Sequence, residues 1–196
     1  MKTIILPLTL FAFTEVFAQA PILDMHLHAM SADFAGPTPS SQCVSEVIPK
    51  ASDKNEAYGA TWQRQLSKPV CADPVWAPRT DAKVMQQTID AMEKLNIVGV
   101  LSGNPERVAT YMQSAPGRFY PGISFELGVK NKTYSPAQLW ELHAQNQLAV
   151  FGEIANQYQG ILPDDPRMAP YWTMAEELDL PVAIHIDWQF HQKRRV

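Results

Sequence analysis

Histidines 26 and 28, one residue apart in the run Pro21-Ile22-Leu23-Asp24-Met25-His26-Leu27-His28, are the first residues of this chain equipped for chemistry. The run reads as a strand, and alternate side chains of a strand leave one face. Both imidazoles would then stand close together, in reach of adjacent positions on a single divalent ion. A His-x-His pair alone is a weak signal, but two further residues reinforce it. Glu153 follows the apolar Ala149-Val150-Phe151 and Gly152, where an unpaired carboxylate is expensive to bury. His185 follows Val182-Ala183-Ile184. Metal-type ligands thus end three of the chain's apolar runs on the same side. The competing uses are a salt bridge or helix-cap contact for Glu153 and a hydrogen-bonded core position for His185. His143 falls mid-helix and reads as a packing residue.

Positioning these groups requires regular elements, and the sequence supplies them in alternation. Strands are expected at 21–28, 97–101, 119–124, 149–154 and 181–186, and helices at about 81–95, 105–115, 135–143 and 167–178. On the first helix Val84, Thr88, Ala91, Met92 and Leu95 share a face. Near-continuous apolar strands separated by helices imply a parallel sheet covered by helices. The last four strands begin 22 to 32 residues apart, close to the roughly 31 residues per βα unit of an eight-unit barrel. The fold class is therefore α/β: a partial (β/α)8 TIM barrel with about five parallel strands, four helices and a long loop after strand one. An open flavodoxin-like sheet is the alternative arrangement of five parallel strands.

The long loop, residues 29–79, contains Pro37, Pro39, Pro49, Pro69, Pro74 and Pro78 and has room for one short helix at 54–66. A connection of this length points to a functional lid or pocket wall. Cys43 and Cys71 both lie in it. Residues 1–18 read as an export signal, with Lys2 ahead of the apolar run 3–13 and cleavage favoured after Ala18 over Ala20. An oxidising compartment, periplasmic or secreted, allows the two cysteines to pair; two free thiols or a zinc pair are the alternatives.

The composition is globular, at 46% hydrophobic and 18% charged residues over 196 positions. A net charge of -4 without like-charge blocks offers no footprint for nucleic acid, nor for a membrane once the signal is removed. The implied partner is a small-molecule substrate.

Pro-Ile-Leu-Asp-Met-His-Leu-His-Ala at 21–29, Phe-Gly-Glu-Ile at 151–154 and Leu-Pro-Val-Ala-Ile-His-Ile at 180–186 together resemble the amidohydrolase superfamily, in particular its amidohydrolase-related exported branch. The resemblance spans residues 19–187 and implies a divalent metal site, most often zinc, with one or two ions. His26 and His28 match the family's His-x-His, Glu153 its bridging carboxylate and His185 its strand-five ligand. The implied reaction is attack of metal-activated water on an amide, ester or lactone carbonyl. Two features depart from the pattern. The strand-six histidine and strand-eight aspartate have no counterpart, and the polar, basic 188–196 does not continue the pattern of the preceding region. The resemblance therefore implies the N-terminal portion of such a hydrolase, truncated, inactive alone and liable to self-associate through open barrel edges. A non-catalytic periplasmic binding or scaffold protein and a metal-dependent decarboxylase on the same fold are the rival functions. The leader reading predicts that exported protein begins at Gln19; terminal sequencing that finds Met1 retained would contradict it.

Overall fold

The computed structural model describes residues 20–43, 63–64, 66–69 and 71–186. The expected signal at 1–18, the tail at 188–196 and most of the helix expected at 54–66 lie outside the described residues. Within them the chain runs β1 (Ile22–Ala29), β2 (Ser41–Gln42), β3 (Val75–Trp76), α1 (Asp81–Lys94), β4 (Ile97–Gly103), α2 (Pro105–Ser114) and β5 (Phe119–Phe125). It continues through α3 (Pro136–Ala144), β6 (Val150–Ile154), short 3-10 turns at Asn156–Gln159 and Pro166–Met168, α4 (Ala169–Glu177) and β7 (Val182–Ile184).

Five of these strands form one curled parallel sheet in the order β1-β4-β5-β6-β7. Each strand pairs with the next in sequence. A doubly wound sheet reverses its strand order at an internal switch point, and this sheet has no reversal. The flavodoxin-like alternative is thereby excluded. Helices start where side chains accept the first free amides: Thr80 from the Lys83 N–H, Asn104 from Arg107, and Ser135 from Gln138 in a reciprocal capping box. Beyond α1, α3 and α4 the chain turns at Asn96, Asn146 and Asp179, all with positive φ near 50–57°. Asn and Asp tolerate that conformation best among non-glycine residues.

The helices cover one face of the sheet through two apolar clusters. Leu101, Val108, Tyr111, Phe119, Ile89 and Met92 join β4 and β5 to α1 and α2. Phe125, Phe151, Ile154, Leu139 and Met174 join β5 and β6 to α3 and α4. Burying a side chain of this size contributes about 1.5–3 kcal/mol. Two expectations need correction here. Helix α1 buries Ile89 and Met92, which pack with Leu101 of β4 and with Val108 and Tyr111 of α2, while Ala91 is exposed and Leu95 is 57% exposed. The fifth strand is shorter than expected, and Val182 and Ile184 are 39% and 40% exposed since β7 is the edge of the described sheet.

The long connection after β1 is less irregular than its composition suggests. Residues 63, 64, 66 and 67 are helical, and β2 pairs with β3 in a two-residue antiparallel ladder. Cys43 and Cys71 are joined in a disulfide, with Cα atoms 5.8 Å apart.

The opposite face of the sheet is kept clear by small residues. Ser102, Gly122 and Gly152 lie side by side on β4, β5 and β6, and a Cβ at Gly152 would overlap the Ser102 hydroxyl. Gly152→Ala is expected to destabilise the fold by about 1–3 kcal/mol through overpacking. Ser102→Gly in the same chain should restore most of that loss in urea unfolding; an unchanged midpoint for the single variant would contradict this packing.

Candidate metal centre

Local register shifts aim the site residues. On β1, Asp24 pairs with Gly99 and Leu27 with Leu101, so β1 spends three steps where β4 spends two. Asp24 and Leu27 therefore both face α1, and His26 and His28 turn to the clear face. The Asp24 carboxylate accepts the His26 N–H at 2.9 Å, which holds the extra residue in place. On β6, Phe151 pairs with Ile123 and Glu153 with Ser124, again one residue more than the neighbour. Without that shift Glu153 would share the face of Phe151, which is wholly buried against the helices. With it, the carboxylate crosses to the histidines. The shift is shared with β7, where Phe151 pairs with Val182 and Ile154 with Ile184.

His26 Nε2 and His28 Nε2 stand 2.8 Å apart. His28 Nε2 is 3.3 Å from Glu153 Oε2, and His26 Nε2 is 3.6 Å from Glu153 Oε1. Donor atoms sharing a tetrahedral zinc ion lie roughly 3.3 Å from one another, given bond lengths near 2.0–2.1 Å. The observed spacings bracket that value, with each histidine nearest a different oxygen of the same carboxylate, so His26, His28 and Glu153 could together hold a divalent ion. Donor atoms of these three residues all lie within 4.8 Å of one another.

His185, one residue beyond β7, stands beside this trio. Its Nδ1 meets Glu153 Oε1 at 2.5 Å and its Nε2 meets the Tyr158 hydroxyl at 2.8 Å, so both ring nitrogens are engaged. In this arrangement His185 orients the carboxylate, the part commonly played by groups behind a metal ligand. His143 is remote from the centre and bonds the Leu148 carbonyl through Nδ1 at 3.0 Å. Tyr158 carried no sequence signal, since it lies in an aperiodic segment after β6 and meets the site only because a 3-10 turn folds it back.

Burial pushes the His28 imidazole below its ordinary 6.5, with His26 adding to the effect and Glu153 opposing it. The neutral form, which alone can donate to a metal, is thus favoured. Beside His28 and Glu153 opens a cavity of about 480 Å³ bounded by the C-terminal ends of β1, β4, β5 and β6. In parallel α/β sheets that is the end at which ligands are taken up.

No protein-family model matches the chain, and neither a curated protein nor a solved structure matches it.

Two outcomes follow from this geometry. In zinc titrations of the full chain, His28→Ala and Glu153→Ala should abolish tight binding, whereas His185→Ala should weaken it by about 10–100-fold as an orienting group does. Equal losses in all three would make His185 a direct ligand. A lowered folded-state pKa also means that the unfolded chain takes up the His28 proton first as pH falls. Stability of the metal-free protein is therefore present above pH 6.5 and is lost as pH drops below it, a trend that His28→Gln should flatten in denaturant melts.

Proposed function

We propose that this protein is an exported metal-dependent hydrolase of the amidohydrolase type, built on part of a (β/α)8 barrel and acting on an amide, ester or lactone carbonyl of a small molecule. The observation that carries the proposal is the meeting of His26, His28 and Glu153, from strands three positions apart in the sheet, on one face and at one end. The sequential parallel order and the sheet's curl support the barrel relationship, and the Cys43–Cys71 bridge supports an oxidising compartment.

A divalent ion bound there, zinc by preference for two nitrogens and one oxygen, supplies Lewis acidity and lowers the pKa of water. The chain's own groups do the rest. His26 and His28 offer their Nε2 atoms. Glu153 contributes negative charge at the mouth of the cavity and a carboxylate able to accept a proton there. His185 and Tyr158 hold that carboxylate in one orientation. Glu153 also favours hydrolysis over decarboxylation, because a carboxylate at this position suits a second ion.

The test is hydrolysis of a panel of esters, lactones and amides by zinc-loaded protein, with Glu153→Gln as comparison. Turnover is expected to be weak, as the resemblance implies, to disappear with chelator and return with zinc, and to fall by at least about a hundredfold in the variant. Turnover indifferent to both chelator and substitution, or protein that takes up no metal, would overturn the proposal.

A further inference from the structure

The cavity beside Glu153 carries two cations in its wall, Arg107 and Lys132, and they are not equivalent. Lys132 Nζ lies 2.6 Å from Glu126 Oε1, and Glu126 is itself part of the wall, so that charge is compensated within the cavity. Arg107 is tied differently. Its Nη1 donates to the Ala29 carbonyl at 3.3 Å and its Nη2 to Asp81 Oδ2 at 3.1 Å. Asp81 is not part of the wall. Two of five guanidinium N–H donors are used, and among the described residues the other three have no protein acceptor.

Ala29 follows His28 directly, so the tie on its carbonyl places the guanidinium close to the histidine pair. Ser124, paired with Glu153 in register, is also part of the cavity wall and has a buried hydroxyl with no hydrogen-bond partner among the described residues. Buried hydroxyls are rarely left so, and one facing a cavity marks where a ligand atom belongs.

We infer that the cavity is a binding site for a small carboxylate-bearing molecule, with the carboxylate on the Arg107 guanidinium and a polar atom of its other end on the Ser124 hydroxyl. The inference rests on the hydrolase reading only for which end of the ligand reacts. It deepens that reading by assigning substrates a free carboxylate a few bonds from the carbonyl attacked. A planar guanidinium anchored on two sides is preorganised for the paired oxygens of a carboxylate, which a lysine cannot match. The cavity volume suits a molecule of that size.

The experiment titrates the full chain, without and with zinc, with succinate and with its neutral diamide, by calorimetry. Succinate is expected to bind at least about tenfold more tightly than the diamide, a preference lost in Arg107→Gln and only partly kept in Arg107→Lys. The paired change Lys132→Gln with Glu126→Gln, which removes both partners of the compensated pair, should keep it. Ser124→Ala, which removes an unpartnered hydroxyl and so preserves the fold, should weaken succinate binding while leaving zinc affinity as in the parent. A parent protein indifferent to the ligand's charge, or an Arg107→Gln variant that keeps its melting temperature and its preference, would overturn the inference. Because succinate binding is read without zinc, it can succeed where hydrolysis fails and fail where hydrolysis succeeds.

Discussion

The Glu153 carboxylate is the group on which the inner face of this sheet depends. One carboxylate reaches three imidazoles contributed by β1 and by the residue after β7. Partly buried anions are tolerated only where hydrogen bonds or positive charge compensate the loss of water. Here the compensation comes from groups far apart in sequence, so the sheet must bring β1 and β7 to opposite sides of β6 with the correct curl. An extra residue in β6 turns the carboxylate inward, and an extra residue in β1 turns the histidines to meet it. Below them the small side chains of Ser102, Gly122 and Gly152 let three strands approach and leave the donors space.

Stability and chemistry are divided between the two faces. The helix-covered face holds both apolar clusters, in which truncating a large side chain costs about 2–5 kcal/mol. The clear face holds the polar groups and the cavity. Packing on one side fixes the backbone positions from which the other side presents its donors, so a cluster residue such as Phe151 acts on the site through the strand that also bears Glu153. The same strand cannot be overpacked on its inner side without displacing that carboxylate.

The connection after β1 binds to this frame at a few polar points. The Ala32 N–H donates to Asp81 Oδ1, while within the connection itself the Ser41 hydroxyl donates to the Leu66 carbonyl. Arg107 bridges Asp81 and the Ala29 carbonyl. Phe34 lines the cavity while remaining largely exposed. These bonds place the beginning of the connection over the cavity mouth, where side chains of the loop can meet a ligand without taking part in the sheet.

Local physics was enough to read the strands and helices and the face of β1 that matters. Runs such as Ile97-Val98-Gly99-Val100-Leu101 have few other uses in a soluble domain, and Thr80, Asn104 and Ser135 announce their helices by capping. The order of elements, the His26–His28 pair and the strand-end positions of Glu153 and His185 were legible for the same reason. The burial phase of α1 was legible only in part: Met92 lies on the expected face and is buried, but Val84, Ala91 and Leu95 are as apolar as Met85 and Ile89. Only the neighbours α2 and β4 select between them. The face on which Glu153 emerges was equally hidden: period-two alternation places it with Phe151, and a register shift reverses that through pairing with β5. Tyr158 beside His185, the unpartnered Ser124 hydroxyl and the tethered Arg107 depend on contacts between residues far apart in the chain. Sequence determined which groups were available and at which strand ends; the tertiary structure decided which of them meet, because register and curl are properties of paired strands and not of any one strand alone.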